Sequence, residues 1–241
     1  MKRPYLKRVM MILTGLLIMS GVAHALILPQ QTRCLLVEAY DFEQEGALFY
    51  RATAPADSVA LLQNYILRGQ QQVSQLFGEP VSVPSVIYCS NREDFRAFGS
   101  YGNPPALTHM HFGARIVVQT DGIHPDIIAH EMAHAQLFAS VGMLRNHLEI
   151  PYWFHEGLAM QVDHRAQYGE AHLRELSNDL TQLPDMRSLQ TAADFFNGDY
   201  VLHYAAARHV VNQWYSPERL QQFITDVNDG MPFDDAYGAD Y

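Results

Sequence analysis

An α+β fold is what the sequence predicts: a small N-terminal mixed sheet, a histidine-bearing helix at the junction, and a mainly helical C-terminal half. Three observations predict it. Short β-branched runs bounded by turn residues are confined to the stretch from 34 to 119. From Pro125 onward the apolar spacing is helical to the end, with breaks at Gly142, Gly169, Pro184, Gly198, Pro217 and Pro232. Strands first and helices later is the order of an α+β chain rather than of an alternating α/β one.

The first 25 residues stand apart. Lys2, Arg3, Lys7 and Arg8 precede an apolar run from Val9 to Val22, and Ala23, His24 and Ala25 spell a small-residue cleavage site. This is the pattern of a secretory signal peptide, which predicts export to the periplasm or the medium and a mature chain of residues 26–241 forming a single domain. The alternative is an uncleaved anchor; no cysteine beside the cleavage site supports a lipoprotein. No other segment is long and apolar enough to span a bilayer.

Within the mature chain, residues 34–52 alternate enough for a strand pair turning at Gly46. Asp57 is placed to cap a helix running to Phe77, which Gly78 and Pro80 stop. Val81–Tyr88 reads as a strand, Arg92–Phe98 as a short helix and Gly99–Pro105 as a loop. Two strands follow, Thr108–Phe112 and Arg115–Gln119, and then the helices begin. Cys34 and Cys89 are the only cysteines. In an oxidising compartment they are expected to pair, tying the first strand to a central one, the other reading being two buried thiols. Arg33 adjoins Cys34 and Arg92 lies near Cys89, but no histidine flanks either, and neither is read as a nucleophile.

Charge bounds the partners. Without the signal segment, 12 basic residues face 26 acidic ones, a net charge of about −14. That excess disfavours nucleic acid and anionic membrane surfaces.

The chemistry is concentrated in His130, Glu131, Met132, Ala133 and His134. Two histidines at i and i+4 share one helix face, so both imidazoles reach one ion. Ile127, Ile128, Met132, Leu137 and Phe138 surround them, so the helix is expected to be buried on most sides. Burying two histidines and a glutamate there is costly unless a metal resolves it. Catalytic zinc takes three protein ligands and leaves a fourth position open. Glu156, in a second apolar helix started by Pro151, is the candidate third ligand; His147, Glu149, His155 and Asp163 are its rivals. Glu131 is the candidate base for the attacking water. Leu137 and Ser140 stand where a metzincin would have its glycine and third histidine. His109 and His111 fall on one face of a predicted strand and are candidates to line the cleft or hold a second ion; the other histidines read as packing, turn or surface residues.

At these positions the chain resembles the gluzincin peptidases, and among them the peptidase MA-like group. Phe112–Val118 looks like that family's strand before the active helix, His130–His134 like its metal motif, and Pro151–Ala159 like its P-x-W-F-x-E-G-L-A element. The run from Tyr204 to Val211 is similar to its later tyrosine-initiated helix. The resemblance spans roughly residues 80 to 238, and the metal motif together with the W-F-x-E-G-L-A element is its specific part. It implies a zincin-like fold and a zinc peptidase with His130, His134 and Glu156 as ligands and Glu131 as base. Tyr204, by its place in the family-like helix, is the expected donor to the tetrahedral oxyanion, with His203 as runner-up. An extended peptide is expected to pair along the segment from Thr108 to Val118. The other functional classes that the residues allow are a non-enzymatic zinc-containing module and a zinc hydrolase of a different amide bond, such as one in the cell wall.

Overall fold

The computed structural model of the protein describes residues 3–78 and 84–238. In chain order the helices and strands are α1 (Arg3–Ile27), α2 (Pro29–Leu35), β1 (Glu43–Glu45), β2 (Leu48–Tyr50), α3 (Ala56–Phe77), β3 (Ser85–Cys89), α4 (Arg92–Phe98), β4 (Ala106–Met110) and β5 (Ala114–Gln119). After these come α5 (Pro125–Val141), α6 (Met143–Leu148), α7 (Tyr152–Ala159), α8 (Glu170–Leu176), α9 (Ala192–Phe195), α10 (Tyr200–Trp214), α11 (Pro217–Asn228) and α12 (Phe233–Tyr237). The protein is therefore α+β, with a small mixed sheet and mostly helical content.

The five strands lie in the order β1-β2-β3-β5-β4. β1 and β2 form an antiparallel hairpin in which Glu45 faces Leu48, with Gly46 at φ 59° supplying the left-handed turn residue. β2 and β5 run parallel to β3, and β4 returns antiparallel to β5 as an edge strand. Side chains alternate across the sheet with period two. Val86, Tyr88, Ile116 and Val118 face the main core with α3 and α5, whereas Ile87, Cys89 and Val117 face a smaller cluster with Phe95 and Phe98.

Three expectations need correction. Residues 34–39, the start of the expected strand pair, are not extended: Pro29 occupies the first turn of α2, which runs to Leu35, a short helical turn follows at Val37–Ala39, and Cys34 and Val37 turn inward onto the Phe95 and Phe98 cluster, so packing overrides the local alternation. The Cys34–Cys89 disulfide is not formed. Both residues are buried free thiols, Cys34 on a helix rather than a strand, and the Cys34 thiol donates to the Phe98 carbonyl at 3.0 Å. Burial pushes the Cys34 thiol up to about 12 against the opposing pull of Arg115 and Arg33, which keeps it inert. Finally, Pro55 and not Asp57 is the N-cap of α3, and Asp57 sits inside the first turn, where its charge still favours the helix N-terminus. Of the expected strand Val81–Tyr88, residues 81–83 lie outside the described residues, and β3 occupies the rest.

α1 contains one stretch, Lys7–Ile27, long and apolar enough to cross a membrane, and none of its side chains is buried against the rest of the protein's interior in that window. α5 is the opposite case. Its residues from Ile127 to Phe138 are all buried, between α3, the sheet and α7, so this helix runs through the middle of the molecule. Gly157 lets α7 approach α10: a Cβ there would stand 2.6 Å from the Ala207 carbonyl oxygen and from Val211. α12 packs onto α10, since Trp214 stacks on Tyr237 at 4.9 Å and its indole N–H donates to the Tyr237 carbonyl at 2.8 Å.

Candidate metal centre

α5 supplies two of the three groups that converge at the floor of a cleft of about 910 Å³. His124 starts this helix, its ring nitrogen accepting the Asp126 N–H at 3.2 Å, and Pro125 follows at the first helical position. Further along, one turn apart, His130 and His134 point their Nε2 atoms at each other, 3.1 Å apart. From α7, the Glu156 carboxylate oxygen Oε2 comes to 3.2 Å from His130 Nε2 and 3.5 Å from His134 Nε2. All three residues are buried, Glu156 to 3 % exposure.

These separations are what a shared cation requires. Ligand atoms 2.0–2.2 Å from one tetrahedral ion stand about 3.3 Å apart, and the three observed distances bracket that value. Within the site, Glu156 Oε2 makes no hydrogen bond of proper geometry, although it lies between two imidazoles. A buried carboxylate oxygen in that condition is costly unless a cation completes it. Burial resists the ionisation of Glu156, but His134 and His130 outweigh it and hold the carboxylate well below its usual range. Two imidazoles and one carboxylate are a donor set suited to zinc and to several other first-row metals.

Around the triad, each imidazole has a different rear environment. His130 Nδ1 faces Asp163 Oδ2 at 3.6 Å, longer than a hydrogen bond, and Asp163 has no exposed surface. Arg165 holds that carboxylate, its Nε donating to Oδ1 at 3.0 Å. Asp163 is thus placed behind a candidate ligand rather than as one. His155 turns the other way and donates from Nε2 to the Asn146 carbonyl at 3.0 Å; burial and then neighbouring His134 push its pKa down to about 4, so the ring is neutral. Glu149 is exposed and His147 bonds the Met110 carbonyl at 2.9 Å. Of the proposed third ligands only Glu156 joins the two histidines.

Glu131 lines the same cleft but faces β4, where Thr108 Oγ1 donates to its Oε2 at 2.6 Å. Tyr204 also lines the cleft, its ring centroid 6.1 Å from that of His130 and 5.0 Å from that of Phe195. Burial, and after it the charge of Glu156, keeps its phenol protonated and able to donate. His203 does not reach the cleft, because its Nδ1 donates to the Phe195 carbonyl at 2.6 Å; the runner-up donor is set aside on that ground. His109 is likewise turned away, bonding the Phe98 carbonyl at 2.9 Å, and His111 stands past the end of β4 with its ring 5.3 Å from that of His147.

Among the cleft residues that sequence reasoning missed are Tyr152, Phe196 and Tyr200, and of Thr108 it missed the bond to Glu131. Thr108 is an ordinary strand threonine with no local signal. Tyr152 lies one helical turn before Glu156, an i, i+4 spacing that could have placed it there; burial and then Glu156 push its phenol pKa up. Phe196 gives no signal outside the fold. Comparison with protein-family models, with curated proteins and with solved structures finds no match for this chain.

Proposed function

We infer that the chain is a zinc-dependent metallopeptidase of the gluzincin kind, with a zincin-like fold of the peptidase MA-like group, exported through its N-terminal segment and acting on peptide or protein substrates. The observation that carries this reading is the meeting of His130, His134 and Glu156 at one point, with Glu131 facing the same cleft. A closed structural site would more often take four ligands and would have no use for a carboxylate beside it.

Zinc held by His130, His134 and Glu156 would supply Lewis acidity at the floor of the cleft. Glu131 accepts the proton of the attacking water and returns it to the leaving amine. Tyr204 donates its phenolic hydrogen toward the oxyanion as charge develops there. The edge strand β4, not the whole span from Thr108 to Val118, is positioned to pair with an extended peptide: β5 lies inside the sheet, whereas β4 has one partner among the described strands. Backbone pairing of that kind gives affinity without reading sequence.

The test is casein cleavage by the chain lacking residues 1–25, with a chelator and then zinc added back. Cleavage that stops with the chelator and returns with zinc supports the reading. A zinc-loaded protein that cleaves neither casein nor a peptide library contradicts it.

A further inference from the structure

One wall of the cleft is aromatic and exposed. Phe196 and Tyr200 are each 50 % exposed, yet both line the cleft that holds the candidate metal triad. Phe196 is contiguous with two further cleft aromatics, its ring 5.7 Å from Tyr152 and 6.3 Å from Tyr204. Phe195, with no exposed surface, backs the wall at 5.3 Å from Tyr152 and 5.6 Å from Phe196. The short helix before Phe196 is fixed by a capping box, Thr191 and Asp194 each accepting the other's backbone N–H. The wall is therefore preformed. Scattered surface aromatics need no explanation, but Phe196, Tyr152 and Tyr204 in contact within a cleft that Tyr200 also lines, with Phe196 and Tyr200 half in water, present apolar area suited to a ligand.

We propose that this wall is the primary specificity subsite, taking a large uncharged side chain, aromatic or branched aliphatic, of the residue beside the scissile bond. The proposal rests on the peptidase reading and names the substrate class for it. Proximity to the bond follows from Tyr204, which belongs to the wall and stands 6.1 Å from the His130 ring, about one side chain's reach. Charge narrows the choice. Glu131 and Glu156 are the carboxylates of the cleft lining, so an acidic side chain is repelled; Arg165, its guanidinium, is already engaged by Asp163. A basic side chain would meet no carboxylate on the aromatic wall itself. Tyr152 and Phe196 are inclined at 65° and Phe196 and Tyr204 at 63°, so these rings shape a slot rather than one flat platform.

The experiment is calorimetric binding of peptidyl hydroxamates to the zinc-loaded chain lacking residues 1–25, in a series differing only in one side chain: Phe, Leu, Ala, Asp or Arg. Phe and Leu probes are expected to bind about ten-fold or more tighter than Ala, with Asp the weakest. Phe196→Ala and Tyr200→Ala, both at half-exposed positions, should narrow the gap between Phe and Ala, with zinc content and thermal melting as folding controls. Equal affinities across the series, a gap that survives both substitutions together, or tighter binding of an amino-sugar hydroxamate than of the Phe probe would overturn the proposal. Selective binding without cleavage of any peptide would sink the peptidase reading and leave the subsite; cleavage without selectivity would do the reverse.

Discussion

Thr108 on the edge strand and Glu131 on the central helix are joined at 2.6 Å, hydroxyl to carboxylate, and the same hydroxyl stands 3.1 Å from the Glu131 carbonyl. A single hydroxyl hydrogen thus ties the candidate base to β4, the strand proposed to pair with substrate. Thr108→Val keeps the shape and removes the donor, leaving the carboxylate free to wander. Turnover of a peptide substrate should fall by about ten-fold, the scale of a hydrogen bond to a charged group, while bound metal stays the same. An unaltered rate would show that Glu131 needs no such anchor.

Asp163 carries the next expectation. It is fully buried behind His130 and its charge is answered by Arg165. Asp163→Asn should lower metal affinity by about 10- to 100-fold through loss of ring orientation and basicity. Competition with a calibrated chelator measures this; equal affinity in the variant would reduce Asp163 to a partner of Arg165 alone.

Gly157 sits where α7 and α10 nearly touch, and a methyl group there would meet the Ala207 carbonyl oxygen at 2.6 Å. Backbone cannot yield as a side-chain tip can. Gly157→Ala should therefore cost about 1–3 kcal/mol of stability by urea denaturation, and it should shift Glu156, its neighbour in α7. A change below about 0.5 kcal/mol, within the range of an ordinary surface substitution, would mean that the helices separate freely.

How far the sequence reveals this site depends on whether the relevant contact is local. His130 and His134 were legible because a helix fixes i and i+4 on one face, and Glu156 because a carboxylate interrupts an apolar helix. Asp163 was legible only as a rival ligand: its position behind His130 depends on the turn after α7, which no periodicity encodes. Thr108 meets Glu131 across the junction of sheet and helix, a contact 23 residues apart in the chain. The same limit explains the fold-level misses. Cys34 to Val37 opens a stretch whose alternation suggests a strand, but a neighbouring apolar cluster and the α2 start at Pro29 keep it out of the sheet. Arg92–Phe98, whose Asn91 cap accepts the Asp94 N–H at 2.8 Å, was readable to the residue because its signals are all local.

The pair Arg51 and Asp94, 2.8 Å apart with side chains 25 % and 13 % exposed, gives a pH dependence whose sign is fixed. Burial raises the Asp94 pKa, but the bonds from Arg51 and Asn91 outweigh it and the net shift is downward. A carboxylate depressed in the folded state contributes stability above its unfolded pKa, and that contribution is lost as pH falls through the folded value. Arg51→Met should cost about 1 kcal/mol at neutral pH, a figure discounted for partial exposure, with the difference from wild type shrinking below about pH 4. A difference that stays constant down to pH 2 would show that the loss comes from packing of Arg51 over Phe42 instead.

The most direct measurement sets the wild-type chain beside Glu131→Gln and determines bound zinc and casein cleavage for both. The prediction is one zinc in each, held by His130, His134 and Glu156, with cleavage in the wild type and at most a trace in the variant. Cleavage by Glu131→Gln at the wild-type rate, or a folded wild type that binds no zinc, would contradict the account.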